Sequence, residues 1–497
     1  MTDMELILQP TKEAYLKLSL VDNRYQEIDQ LEGELIDLSL TISAESDIRR
    51  VASANLHFDL LGAGTGDFIT NYFGRWMQQM VWLYYGIYDK QLTQIRWFLL
   101  GSFLFTSSSY TYDASNRQLS LSLADMMSAM TEERGSQIGY SLMFPADSNI
   151  ADALESTIAR FSNYKATDIC QFEDTVPYDI TIGMGGYPLT ALKKLVELYP
   201  WYEQFYTTEG VYTARRIPTA MEDSVTIGAD DLCKAVISET GSVDYREVKN
   251  CTEIWGRNID ANYTATDCIS TGIMYGLIMG SEFSAYEDGM LVCFTADEDN
   301  KEGQHLSIEN MSSYPIMVES GIGQRRVITA GEMKAMTTYV VRYTDNQFIL
   351  QGEAQIHVMC MEYNVRPSDT EITGLKAFHN CNDLQIVVNP DSPFACDRIG
   401  IIKQVLYDGD YASIYTTQLA HERASYENWK TTRLQDSITL ETLFIPWLDV
   451  NQKVAYKSVV TGETWQYIIR SIEVSPMSGI MNIKMVRFYP LYPWLEG

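Results

Sequence analysis

Leu35-Ile36-Asp37-Leu38-Ser39-Leu40-Thr41-Ile42 sets the apolar Ile36, Leu38, Leu40 and Ile42 against the polar Asp37, Ser39 and Thr41. Side chains alternate across the two faces of a strand, so this period of two describes a strand with one face in a core. Leu16, Leu18 and Leu20 repeat the pattern upstream, and Leu119, Leu121 and Leu123 repeat it against Ser120 and Ser122. Between them lie two aromatic-rich runs, Trp76 to Tyr88 and Arg96 to Tyr112. Asp89-Lys90 and the loop Asp113–Asn116 supply turn chemistry. This density of short strands predicts a small antiparallel barrel or sandwich over the first quarter of the chain.

Outward from there the pattern changes. Ile150, Leu154, Ile158 and Phe161 fall on one helical face, with Asp147 or Ser148 as the expected N-cap. A second helix is expected to open on Pro188, to carry Leu189, Leu192, Val196 and Tyr199, and to stop at Pro200. An aromatic strand, Trp201 to Tyr206, then turns through Thr208-Glu209-Gly210 into a return strand, Val211 to Ile217. This middle region reads as α+β. Val248 to Tyr263 is strand-like, and Phe283 to Val365 reads as a separate small β unit with turns at Glu287-Asp288-Gly289 and Asp345-Asn346. Ser392 to Tyr415 is strand-like, and Thr417 to Thr431 is expected to be a helix. Strands are expected at Ile438 to Phe444, Lys453 to Val460, Thr464 to Val474 and Ile480 to Phe488, with Gly462 and Gly479 in two of the connections. The C-terminal end therefore reads as a second barrel-like domain.

The chain has 497 residues, which at about 150 per domain implies roughly three domains. Acidic side chains outnumber basic ones 66 to 37, a formal charge of −29 with His neutral. Hydrophobic residues make up 46% and charged residues 21%, too apolar a mixture for a disordered acidic protein. With 32 Tyr, 9 Trp and 17 Phe against 14 Pro, the composition favours strands and polar-aromatic interfaces. So acidic a chain excludes sequence-independent binding to phosphate backbones, which needs clustered Lys and Arg. The eight cysteines are scattered, with no CxxC and no His at zinc-finger spacing, and are expected to be reduced thiols. MTDMELILQPTKEAYLKL has no basic region followed by an apolar core, so no signal peptide is expected. Val81 to Phe105 is broken by Asp89, Lys90, Gln91, Gln94 and Arg96, so no membrane span is expected either.

Enzymatic patterns are missing. No spacing singles out a facing carboxylate pair of the kind a glycan hydrolase needs. The five histidines include no HExxH, and His357 with Cys360 reads as strand packing. GxSxG is absent. Gly183-Met184-Gly185-Gly186 precedes the Pro188 helix without a following Lys-Ser/Thr, and reads as a tight loop. Gly62-Ala63-Gly64-Thr65-Gly66 reads as a hairpin tip. Trp201-Tyr202 with Phe205-Tyr206 could stack a sugar, but a strand packed on the preceding helix is the simpler reading. No catalytic, cofactor-binding or metal-ligating residue is therefore expected.

Four segments, in order, resemble the baseplate hub (tail-tip hub) proteins of tailed bacteriophages and related contractile injection machines. They are Ser107-Ser108-Ser109-Tyr110-Thr111-Tyr112-Asp113 leading into Leu119 to Met126, then LVELYPWYEQFYTTEGVYTARRIP from Leu195 to Pro218, VKNCTEIWGR from Val248 to Arg257, and IPWLDVNQKVAYKSVVTGETWQYIIRSIEV from Ile445 to Val474. The resemblance implies a mainly β fold with an α+β middle and two tube-like antiparallel β-barrel domains. One barrel would span residues 1–130, followed by an α+β domain at 131–250. The second would combine 251–283 with 391–497, and an inserted small β module would occupy 284–390, where the resemblance lapses. It further implies a homotrimeric ring joining the tail tube or distal tail protein to a spike or tip protein. Such a ring sits in the virion baseplate after assembly in the host cytoplasm, without a membrane anchor, and DNA passes through it without specific binding. No peptidoglycan-cleaving domain is evident, so no enzymatic activity is expected. A carbohydrate-active or receptor-binding surface protein is the alternative.

Overall fold

The computed structural model describes residues 2–57, 79–112, 117–145, 148–170, 175–176, 180–196, 202–217, 225–280, 283–309, 311–321, 324–381, 383–409, 411–414, 416–432, 435–475 and 479–487. The readings placed on Gly62 to Gly66, Trp76, Asp113 to Asn116, Asp147, Tyr199 to Trp201 and Phe488 lie outside them. The fold is mainly β.

Six strands form the N-terminal unit: β1 (Ala14–Val21), β2 (Glu27–Ser43), β3 (Arg50–His57), β4 (Met80–Asp89), β5 (Gln94–Tyr112) and β6 (Arg117–Asp125). They pair in the order β1-β4-β5-β6-β3-β2, and β1 also pairs with β2, so the ladder closes on itself. The even-numbered leucines of β1 and β2 point inward as their period of two requires. Leu16, Leu18, Leu20, Leu38 and Leu40 are buried with Val81, Leu83, Phe103, Leu121 and Leu123. Helix α1 (Asp3–Ile7), held by a Thr2–Glu5 capping box, adds Leu6 and Ile7 to this core.

The middle unit packs two helices, α2 (Ile150–Phe161) and α3 (Pro188–Val196), against short strands. These are β7 (Leu142–Phe144) paired with β9 (Ile180–Ile182), and β10 (Tyr202–Tyr206), β11 (Tyr212–Arg216) and β8 (Thr167–Ile169) in one three-stranded sheet. The N-cap of α2 is Asn149, whose side chain accepts from Asp152 N, one residue past the expected Ser148. Pro188 opens α3.

Helix α4 (Ala229–Ala235) and β12 (Val236–Asp244) begin a second antiparallel sheet. They depart from the α+β domain expected to run to residue 250, because β12 pairs with β25 (Gln435–Leu443). The sheet runs β12-β25-β28-β27, with β28 (Ile480–Arg487) and β27 (Thr464–Ser475), and β26 (Lys453–Lys457) pairs with β27. Among the described residues no ladder joins β26 to β12. The Glu239 carboxylate spans that gap instead, accepting from Tyr456 OH at 2.8 Å, Ser458 Oγ at 2.7 Å and Val459 N at 3.0 Å. β27 also pairs with β2 through Leu40↔Val474 to Ser43↔Ser471, so the closed ring and the C-terminal sheet are one continuous sheet with a shared core.

Two units are nested between β12 and β25, and here the expected boundaries change. The strands β13 (Cys251–Asn258), β22 (Gln355–Tyr363), β23 (Asp383–Val388) and β24 (Lys403–Leu406) form a four-stranded sheet in the order β23-β22-β13-β24. Residues 251–258 therefore belong to this sheet and not to a second barrel. The strand-like reading of Ser392 to Tyr415 shrinks to β24, preceded by helix α6 (Cys396–Ile399). Helix α5 (Asp369–His379) lies on one side of the sheet and α7 (Thr417–Thr431) on the other, where Ala420 and Ala424 pack on Ile254, Val358 and Cys360.

Inside that unit sits the β module: β14 (Tyr263–Thr271), β15 (Met274–Met279), β16 (Leu291–Thr295), β17 (His305–Ile308), β18 (Tyr314–Gly321), β19 (Gln324–Val327), β20 (Thr338–Thr344) and β21 (Gln347–Glu353). These eight strands make a separate sheet with its own core of Tyr275, Leu277, Val292, Phe294, Ile316, Val341 and Phe348. The insertion expected at 284–390 thus begins earlier and ends earlier. β14 and β15 are part of the module, while β22, α5 and β23 belong to the host sheet. The ends of the module meet where Asn258 pairs with Gln355 and Ile259 N donates to Ala354 O at 2.9 Å. Loop-closure cost rises only about 0.6 kcal/mol per doubling of length. Replacing residues 260–352 by a short linker is therefore expected to leave a folded chain, seen as a retained cooperative thermal transition. Deleting 284–390 removes β22 and β23 and is expected to abolish that transition.

Candidate functional site

The side chains most strongly constrained by their surroundings lie where the ring, the middle unit and the C-terminal sheet meet. Arg49 and Arg50 stand at the start of β3, Glu203 on β10, and Asp449 and Asn451 in the connection between β25 and β26. The alternation of β10 puts Glu203 on the same face as Phe205, so the carboxylate is carried into a buried junction. There it accepts from three donors: Arg49 of the ring, Asn451 of the C-terminal sheet, and Arg215 Nε of the adjacent strand at 3.0 Å. The Arg49 guanidinium also lies 3.7 Å from the centroid of the Phe205 ring.

Arg50 makes the second three-way connection, and its side chain is 1% exposed. One amino group donates to Tyr206 O at 2.7 Å and the other pairs with Asp449. Its backbone N–H donates to Asp125 at the end of β6 at 2.9 Å. Burial pushes the Asp125 carboxyl up to about 6, against the bonds it accepts from the backbones of Arg50 and Met127. Asn451 passes the network on by accepting from Arg470 of β27 at 2.9 Å. A pair buried this deeply gains little net stability over apolar packing; what it can fix is the mutual orientation of the pieces, since any slip leaves a charge unpaired.

The turn between β10 and β11 is held against the ring as well. Trp82 Nε1 donates to Glu209 O at 3.1 Å, Ser102 Oγ to Thr208 O at 2.6 Å, and Tyr25 OH to Gly210 O at 3.2 Å.

A second polar cluster lies on the four-stranded sheet. Glu253 of β13 accepts from His357 Nε2 at 2.7 Å, Lys403 Nζ at 2.7 Å and Trp255 Nε1 at 3.2 Å, and the Trp255 and His357 rings stack at 3.7 Å. Burial works to raise the Glu253 carboxyl, but the bonds from Lys403 and His357 outweigh it and hold the group below its ordinary value. A carboxyl lowered by folding contributes stability above its unfolded value near 4.5, and that contribution is lost as pH falls through the folded value. Glu253→Gln is therefore expected to flatten the acid limb of a melting-temperature profile between about pH 5 and pH 3. An unchanged slope would contradict this assignment.

His357 and Cys360 fall on opposite faces of β22, His357 on Trp255 and Cys360 beneath α7. All eight cysteines are free thiols, and burial pushes those of Cys251, Cys360 and Cys396 up to about 12. Such thiols are protonated and unreactive at neutral pH. The Gly183 to Gly186 loop is tied to the chain, with Gly185 N donating to Ile138 O and Ile138 N to Gly186 O, both at 2.8 Å. Phe205 and Tyr206 are buried and offer no stacking surface. Among the described residues, no group of three or more His, Cys, Asp or Glu could hold a metal ion, and no helix is long and apolar enough to cross a membrane. Sequence reasoning missed the Arg49–Glu203 and Arg50–Asp449 junction. Its one local signal was a lone carboxylate, Glu203, set among the aromatics of β10.

A family model described as a domain of unknown function (DUF5048) matches residues 391–492. No curated sequence matches the chain. Among solved structures, the fold is similar to a 43 kDa tail protein of prophage MuSo2 from Shewanella oneidensis. That likeness has 10% identity and a TM-score of 0.45, over 95% of this chain and 98% of the other. A tail protein from Neisseria meningitidis MC58 is similar at 8% identity and a TM-score of 0.45, over 95% and 96%. The prophage tail protein gp18 from Listeria monocytogenes EGD-e is similar at 8% identity and a TM-score of 0.40, over 95% and 94%.

Proposed function

We propose that this chain is a structural hub of a phage tail baseplate. Three copies form a ring that joins the tail tube or distal tail protein to a spike or tip protein and lets DNA pass. The observation that carries this reading is the continuous sheet through β2 and β27, which couples a closed six-stranded ring to a second antiparallel sheet in one chain. Arg50–Asp449 joins the two directly, and Glu203 of the middle unit joins them by accepting from both Arg49 and Asn451, which favours one fixed angle between them, as a closed ring of repeated β units demands. A formal charge of −29 suits a passage that must not retain a phosphate backbone. The role is mechanical and needs no reacting group, and it places the protein in the virion after assembly in the host cytoplasm.

Sedimentation of the purified chain, together with negative-stain images, tests the reading. A trimer seen as a threefold ring is expected. A monomer at all concentrations, or a rod, would overturn it.

A further inference from the structure

Helix α5 stands at the rim of the four-stranded sheet, and none of its residues is buried. Between it and β23 lies a cleft of about 310 Å³. Ile372 of the helix and Leu384 and Ile386 of the strand give it an apolar floor, and Arg366 and Lys376 bring two cations to its walls against one carboxylate, Asp369. Among the described residues neither cation is hydrogen-bonded or ion-paired, in a chain whose acids outnumber its bases 66 to 37. Among the described residues, the strand side chains that line the cleft belong to β23, the end strand of the sheet.

Among the described residues the side of β23 away from β22 is an unpaired strand edge: β23 ends the sheet and pairs only with β22, in parallel. Asn389 N donates to Tyr363 O at 2.8 Å, which turns the backbone groups of the odd-numbered residues toward β22. Alternate residues of a parallel strand face opposite neighbours, so Leu384, Ile386 and Val388 direct their N–H and C=O groups outward. An open strand edge beside a helix, with an apolar slot between them, is the geometry by which folded domains take up extended peptides.

We propose that the α5–β23 cleft docks an extended, acidic and apolar segment of another polypeptide. The segment adds as a fifth strand beside β23, sets apolar side chains over Leu384 and Ile386, and places carboxylates between Arg366 and Lys376. Charge decides the occupant: two cations without a hydrogen-bonded or ion-paired partner among the described residues, set against the single carboxylate of Asp369, favour a carboxylate-bearing segment over a basic one. This site is independent of the ring reading, because the four-stranded sheet carries it alone.

The test uses the full chain and a random octapeptide display library. Peptides that carry apolar residues together with Asp or Glu at alternate positions, i, i+2 and i+4, so that both fall on one strand face, are expected to be enriched. The best of them, made synthetically with a fluorescein label, should lose affinity by about tenfold or more on the variant Arg366→Glu/Lys376→Glu, as two charge-assisted contacts are removed. Thr373→Trp, which fills the cleft from the exposed helix surface, should weaken binding in the same way. Saturating peptide should slow amide exchange at Leu384, Ile386 and Val388. The proposal is overturned if nothing is enriched, if basic peptides are enriched, if both variants bind as the parent does, or if exchange at β23 is unchanged. It is equally overturned if the charge-reversed variant alters the oligomeric state, since the cleft would then be a contact between copies of this chain.

Discussion

Replacing Arg50 by alanine is expected to lower the unfolding free energy by about 3–5 kcal/mol, the range for deleting one partner of a buried ion pair. The deletion strands the part-buried Asp449 without its cation and Tyr206 O without its donor, beside an Arg50 side chain that is itself 1% exposed. Because the partners belong to three different units, the loss is also expected to show as uncoupling. Urea denaturation followed by circular dichroism should give one transition for the parent chain. The variant should give an earlier midpoint, or two transitions. Glu203→Gln is expected to do the same more weakly, since the amide keeps one acceptor for Arg49, Arg215 and Asn451 to share. A shift below about 1 kcal/mol for Arg50→Ala would mean that the junction is wetter than its burial implies.

Gly210→Ala is expected to cost about 2–5 kcal/mol, combining backbone strain with overpacking. Gly210 has φ of +87°, a region that glycine enters freely and alanine does not. A Cβ there would come 2.5 Å from Met80 Sδ and 3.0 Å from Ser102 Oγ, both on the ring. The methyl group would therefore push the β10–β11 turn off the ring and break the bonds that Trp82, Ser102 and Tyr25 make to it. Melting temperature measures the effect. In a variant that keeps Trp82 as its one tryptophan, fluorescence offers a local readout of the turn.

The local rhythm of the sequence was readable and its long-range partners were not. Leu16 to Leu20, Ile36 to Ile42 and Leu119 to Leu123 announce strands because a half-buried strand must alternate. Thr417 to Thr431 is a helix whose Ala420 and Ala424 recur at the spacing of one face. Nothing in Cys251 to Asn258 says that its neighbour is Gln355 to Tyr363, about a hundred residues on. The module boundary failed for that reason: β14 and β15 alternate like any strand, and only pairing assigns them to the inserted sheet. Arg49-Arg50 looks like two solvated charges, because burial of a guanidinium depends on Glu203, Tyr206 and Asp449 arriving from elsewhere in the chain. Around Ser392 to Tyr415 the apolar residues suggested a strand, but Gly400, at φ of +82°, ends α6 and leaves only Lys403 to Leu406 extended.

The nesting of one unit inside another also sets a timetable for synthesis. The six-stranded ring has all its strands once Asp125 has been made, and the module can close on itself as soon as Gln355 meets Asn258. β12 is translated early but cannot pair until Gln435 to Leu443 follows, after both inserted units have passed through the ribosome. Until then its backbone edge is open while the nascent ring already presents the end of β2 that β27 will later occupy. Units complete in sequence fold as they emerge, and an unpaired edge held open meanwhile is where wrong chains attach. The C-terminal sheet is thus the last part to mature: truncation before Gln435 leaves both β12 and β2 without the partners that cover them, and truncation between Leu443 and Ser471 leaves β2 uncovered.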